Sequence, residues 1–162
     1  MRKACLYLAE TSAMGRGVFT DKKIAANTVI EVAPVIVMSE QDRQKLDKTL
    51  LHDYIFAWGA DSKQCCMALG WVPMYNHRYQ SNCEYFMDFE KATILVKTVR
   101  LIKKDEELTI NYNGDWNDAK EAGRSNSEMN NQGIVVKQNV IGNKKNDVRH
   151  SAPCRWAAWQ SR

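Results

Sequence analysis

From residue 4 to residue 112 the apolar positions fall in short runs broken by turn signals, the pattern of short strands and not of long helices. Val29–Met38 is dense in β-branched residues and predicts a strand. Ser39-Glu40-Gln41-Asp42 follows with capping-box spacing, Asp standing where Glu or Gln is usual. Leu46, Leu50 and Leu51 then share one helical face, which predicts a helix over residues 40–52. Residues 54–58 and 65–69 read as short strands around a turn at Gly59-Ala60-Asp61. Residues 83–89 and 92–99 flank Glu90-Lys91 and read as a hairpin.

One phrase occurs twice. Residues 18–24 lead through Asn27 into the run 28–31, and residues 98–104 lead through Asp105 into the run 107–112. Asn27 and Asp105 both sit where a turn wants a residue that tolerates positive φ. The phrases are too short and dissimilar to form a true repeat. After Trp116 the composition shifts to Asn, Ser, Lys, Gly and Gln, with Ile134-Val135-Val136 and Val140-Ile141 as apolar islands. Such a stretch is poorly able to build a core. The expected organisation is a domain over 1–115 and a polar, basic tail over 116–162, whose end carries Trp156 and Trp159.

The bulk numbers narrow the class. The length of 162 residues is that of one domain, and 44% hydrophobic with 26% charged residues is ordinary for a globular protein. No apolar run approaches the ~20 residues of a membrane span, and the basic start is cut short by Glu10, so no membrane association and an intracellular location are expected. The net charge of +4 falls wholly on residues 116–162, because residues 1–115 hold 15 residues of each sign. Without a dense basic run or an aromatic platform, nucleic acid is not expected as a partner except through that tail. Five cysteines at irregular spacing, with no C-x-x-C, predict neither a disulfide framework nor a metal site. They read as reduced thiols filling the core.

Three clusters carry candidate chemistry. Met14-Gly15-Arg16-Gly17-Val18-Phe19 brings two glycines around one residue, which lets backbone approach a ligand and offer N–H groups to it. It is not a dinucleotide fingerprint, since the third glycine and the following helix are missing. Residues 75–82, Y-N-H-R-Y-Q-S-N, form a polar and aromatic loop in which Asn76 offers donors and an acceptor suited to an amino-acid ligand. Residues 106–114, E-E-L-T-I-N-Y-N-G, read as a strand that ends on a tyrosine. Each alone reads more readily as an ordinary turn, loop or packing residue.

In this order, the series G-R-G-V-F, N-H-x-x-x-x-N and E-E-L-T-I-N-Y resembles the SET-domain protein-lysine methyltransferases over residues 4–114. The resemblance implies a mainly β, β-clip-like fold of small sheets with one or two short helices, and a pseudoknot formed by the Asn-His segment and the last strand. It implies transfer of a methyl group from S-adenosylmethionine to a lysine of a protein substrate. Gly15, Arg16, Gly17, Asn76 and His77 match the cofactor-binding positions, and Tyr112 matches the catalytic tyrosine. Tyr54 and Tyr75 are candidates for the aromatic channel that receives the lysine. The alternative is a SET-like module that binds peptide or cofactor with little or no turnover.

The chain departs from the family pattern N-H-S-C-x-P-N at Arg78 and Ser81, which replace serine and proline. Asn111 stands where aspartate is commoner before the tyrosine, and Asn113 intervenes before Gly114. No cysteine-rich zinc segment follows. Family members supply an aromatic segment here that closes the site, for which Trp116, Trp156 and Trp159 are the candidates.

Overall fold

Short apolar runs separated by turn residues give short strands, each of which must bury one face against the others. The computed structural model describes residues 1–119. Among these the strands are β1 (Leu6–Glu10), β2 (Arg16–Thr20), β3 (Val29–Met38), β4 (Ile55–Trp58), β5 (Gln64–Ala68), β6 (Asn76–His77), β7 (Cys83–Asp88), β8 (Thr93–Thr98) and β9 (Glu107–Ile110). One helix, α1 (Glu40–Leu46), and two 3-10 turns, Leu50–Tyr54 and Val72–Met74, accompany them. The mainly β expectation with short helices is met. The strands neighbour one another in the order β1-β2-β9-β7-β8-β3-β5-β4, and β6 lies beside β9. No helix among the described residues is long and apolar enough to cross a membrane. Trp156, Trp159 and nearly all of the basic tail lie outside the described residues.

The hairpin of β7 and β8 forms in register from Cys83↔Thr98 to Asp88↔Thr93, with Ala92 at a positive φ of 48° in its turn. Asn27 and Asp105 adopt the left-handed conformation, with φ of 57° and 61°. The two similar phrases meet: Ile24 and Ile102 exchange backbone hydrogen bonds of 3.1 and 2.9 Å, and both side chains are buried. The local similarity therefore reflects two turn-strand entries that pair with each other across the core.

The helix is shorter than the leucine spacing predicts. The capping box forms, with the Ser39 hydroxyl and the Asp42 carboxylate each accepting from the other residue's amide. Hydrogen bonds from Ser39 hold the Asp42 carboxyl below its ordinary range. But α1 ends at Leu46, and the Thr49 hydroxyl accepts from the Leu51 amide to start a separate 3-10 turn. Leu50 is 73% exposed and α1 buries none of its residues, so the leucine stripe does not face the core. Cys65, Cys66 and Cys83 are buried free thiols, as the core-filler reading expects. Burial pushes Cys66 up to about 12 and Cys83 higher still.

The pairing that joins two of the candidate motifs is parallel. β6 runs along β9 with Asn76↔Thr109 and His77↔Ile110, and Cys83 of β7 also pairs with Ile110. This lays the loop 76–82 against the final strand, the arrangement that a pseudoknot requires. Asn82 holds it there: its amide donates to the Glu107 carbonyl (2.7 Å) and its oxygen accepts from the Thr109 amide (2.8 Å). The same amide reaches the Glu106 carboxylate. Burial works against charge on Glu106, but Arg100, the Lys103 amide and Asn82 outweigh it and keep its carboxyl below the ordinary range. Asn82→Ala leaves buried backbone groups without partners, so it should lower unfolding free energy by about 2–4 kcal/mol. The check is the urea midpoint at unchanged slope, and a near-zero shift would show that other bonds hold the loop.

Candidate active site

The glycine cluster becomes a tight turn followed by an edge of backbone. The Thr11 amide donates to the Gly15 carbonyl (2.6 Å), the Met14 amide donates to the Thr11 hydroxyl (2.9 Å), and Gly15 takes a φ of 66°. β2 then starts at Arg16, whose side chain is exposed and whose Cα is in register with Glu10 of β1. Gly17 is buried for lack of room: a Cβ there would lie 2.5 Å from Glu107 Oε1 and 2.9 Å from Asn76 Nδ2. Those two groups are themselves bonded, Asn76 Nδ2 donating to Glu107 Oε1 at 2.7 Å.

The same parallel pairing brings the tyrosine in. Tyr112 follows β9, and its amide donates to His77 Nδ1 at 3.1 Å. A backbone amide can only donate, so this ring nitrogen carries no proton. The His77 ring lies 5.0 Å from the Tyr112 ring and meets Tyr79 edge-on at 4.6 Å. The Tyr112 hydroxyl, buried, donates to the Tyr75 carbonyl at 2.9 Å. Gly17, Asn76, His77 and Tyr112 thus converge from three distant stretches of chain.

Tyr75 enters differently from the expectation of a channel-lining ring. It is fully buried, and its phenol donates to Glu31 Oε2 at 3.1 Å, so the group it offers to Tyr112 is its carbonyl. Burial, with Glu31 next, pushes the Tyr75 phenol well above its ordinary value. Tyr54 ends the 3-10 turn ahead of β4 and is partly exposed. No described hydrogen bond or ring contact ties Tyr54 or Arg16 to the cluster. Sequence reasoning passed over Glu107 and Glu31. Glu107 could have been found as the second acid of the Glu106-Glu107 pair in the motif itself, but nothing marks Glu31 within its β-branched strand.

Comparison with known proteins places this geometry. Residues 15–113 match the SET domain family. The chain belongs to that family. A Schizosaccharomyces pombe histone-lysine N-methyltransferase, H3 lysine-37 specific, is 36% identical over 108 residues, spanning 66% of this chain and 72% of the relative. The crystal structure of a candidate histone methyltransferase from Plasmodium falciparum superposes with a TM-score of 0.54 at 25% identity, over 72% of this chain and 97% of that one. A humanized mutant of the Chaetomium thermophilum Polycomb Repressive Complex 2 shares the fold, with a TM-score of 0.58 at 16% identity, over 69% of this chain and 15% of that one. This SET domain is a protein-lysine methyltransferase.

Within the SET domain, two departures from the family pattern bond the same segment of chain. Ser81 replaces a proline, which has no N–H, and its amide donates to the Trp116 carbonyl at 3.0 Å. Its hydroxyl donates to the Cys83 carbonyl at 2.7 Å. Asn111 replaces a carboxylate, which has no donors, and its amide donates to the Tyr79 carbonyl (3.0 Å) and the Asp118 carbonyl (2.9 Å). Both substitutions supply N–H groups that fasten residues 113–118 onto the loop 78–82. Trp116 is held there, 40% exposed, beside a groove of about 680 Å³ that Arg78, Ser81 and Arg100 also line.

Proposed function

We propose that this SET domain takes its methyl group from S-adenosylmethionine, held by Gly15, Arg16, Gly17, Asn76 and His77, and that Tyr112 is its catalytic residue. The observation that carries the reading is the convergence of Gly17, Asn76 and Tyr112 around one stretch of β9. The residues fit such a donor. At Gly17 there is backbone with no space for a Cβ, next to an amide and a carboxylate able to meet the ammonium and carboxylate of an amino-acid moiety. Arg16 would act through its backbone, since its side chain faces solvent. His77 would likewise contribute main chain, its ring being committed to Tyr112. Tyr54 is retained as a channel candidate, whereas Tyr75 serves through its carbonyl.

The bound cofactor supplies a methyl group on a positively charged sulfur, open to in-line displacement by an amine. The protein's part is to deliver that amine neutral and aligned. A free lysine has a pKa of about 10.4 and is almost wholly protonated at neutral pH. Apolar, aromatic surroundings disfavour the ammonium and lower that value. The Tyr112 proton is committed to the Tyr75 carbonyl, which leaves the phenol oxygen as an acceptor. That oxygen can orient an amine N–H or favour the partial positive charge on the moving methyl. Alignment of this kind supplies roughly 7–11 kcal/mol in favourable model systems. No acid–base pair is needed.

Histones are the first substrates to test, given the named substrate of the fission yeast relative, and an intracellular location accords with them. Purified protein with methyl-labelled S-adenosylmethionine and recombinant histones should give label on lysine, located by mass spectrometry. Absence of label from histones and from a whole lysate would favour the binding-module alternative. Asn76→Ala should raise the cofactor dissociation constant about tenfold, the value of one hydrogen bond to a charged group. Calorimetry checks it, and an unchanged constant would take Asn76 out of the cofactor site.

A further inference from the structure

Glu31 is a carboxylate in the wrong place for stability. It sits near the start of β3, an apolar strand, and is 2% exposed. Removing a carboxylate from water is costly unless it is well bonded, and an apolar residue of similar volume is often the more stable choice. Burial pushes its carboxyl above the ordinary range, against the lowering effects of the Trp71 amide, the Tyr75 phenol and Arg2. Yet the surroundings are shaped to accept it. Gly70, at a φ of 137°, leaves space that a Cβ would fill 2.5 Å from Glu31 Oε1. The Arg2 guanidinium lies over the Trp71 ring at 3.2 Å, and Arg2 pairs with Glu31 across a β-bridge.

The two carboxylate oxygens have different jobs. Oε1 accepts from the Trp71 amide at 2.8 Å, at the entry to the 3-10 turn Val72–Met74. Oε2 accepts from the Tyr75 phenol at 3.1 Å, at the exit of the same turn. One rigid group therefore fixes both ends of the stretch 71–75. The carbonyl at the end of that stretch, on Tyr75, is the acceptor for the Tyr112 hydroxyl. We propose that Glu31 is a positioning residue for methyl transfer: by clamping Trp71 and Tyr75 it fixes the Tyr75 carbonyl, and so the direction of the Tyr112 hydroxyl. This rests on the reading of Tyr112 as the catalytic residue.

The clamp needs two polar tethers, not a charge. Glu31→Gln keeps both, its oxygen accepting from Trp71 and its amide donating to the Tyr75 oxygen. Glu31→Leu loses both, and Tyr75→Phe loses one while keeping the ring. The expected results are turnover within about threefold of wild type for Glu31→Gln, and a fall of roughly tenfold or more for Glu31→Leu and severalfold for Tyr75→Phe, with the cofactor dissociation constant unmoved. The deciding measurement is the same pair of changes in a Tyr112→Phe background. If they act through the hydroxyl, its removal makes them silent, and turnover should fall no further than in Tyr112→Phe alone. A loss in that background equal to the loss in wild type would overturn the proposal and leave Glu31 a packing residue. Should Glu31→Leu fail to fold, Tyr75→Phe carries the same cycle. Wild-type turnover in Tyr112→Phe itself would instead reject the catalytic assignment on which the proposal rests.

Discussion

Tyr112→Phe should give a folded protein whose methyl transfer to lysine is slower by roughly 10²–10³-fold, the scale on which one preorganised polar group acts in a water-excluded site. The ring stays, so its contacts with His77 at 5.0 Å and with the buried core persist. The Tyr112 amide still donates to His77 Nδ1. What goes is the oxygen that would receive the amine, together with the partner of the Tyr75 carbonyl. A buried carbonyl left without that donor lowers unfolding free energy by about 1–3 kcal/mol. Cofactor affinity should hold, because the Asn76–Glu107 pair does not involve the hydroxyl. Single-turnover rates beside calorimetry separate the two effects. Full turnover in this variant would remove Tyr112 from the chemistry, and a matching loss of cofactor affinity would recast it as a binding residue.

How much of this was legible beforehand depends on the range of the interaction. The strands were readable because alternation and turn residues act within a few positions: Val29–Met38 and the hairpin of β7 and β8 lie where the apolar pattern puts them. The left-handed turns at Asn27 and Asp105 were readable for the same reason. The helix was overextended because leucine spacing reports a face without reporting what covers it, and the Thr49 cap ended the helix early. The candidate site residues Gly17, Asn76, His77 and Tyr112 came from an ordered set of motifs, since no local rule joins β2 to β9. Tyr75 shows the limit. Its residue type suggested a ring lining a channel, while the fold uses its carbonyl and sends its phenol to Glu31. Ser81 and Asn111 looked like damage to a motif. Only their hydrogen bonds to residues 116 and 118 show that both fasten the same segment.

Gly17→Ala tests whether the glycine motif is there for space or for flexibility, and the two glycines give opposite answers. Gly15 has a positive φ, so Gly15→Ala strains the backbone by about 1 kcal/mol wherever its side chain points. Gly17 lies within β2, where no left-handed backbone is needed, and its new methyl meets Glu107 and Asn76 side-chain atoms instead. The strand cannot retreat, because Gly17 pairs with Ala9 of β1 on one side and Val18 pairs with Leu108 of β9 on the other. The Glu107 carboxylate can swing aside, but only by giving up the 2.7 Å bond that orients Asn76. The methyl group should therefore act mainly on the binding constellation. The dissociation constant for S-adenosylmethionine should rise by up to about tenfold, the same loss as for Asn76→Ala, since the methyl group acts through that side chain. Stability should fall by about 1–3 kcal/mol, as for an overpacked core. Gly15→Ala should show the reverse balance, a stability loss with a smaller change in binding. If instead the two variants lose cofactor affinity equally and in proportion to stability, then the motif is a folding device and the contact of Gly17 with Asn76 has no part in binding.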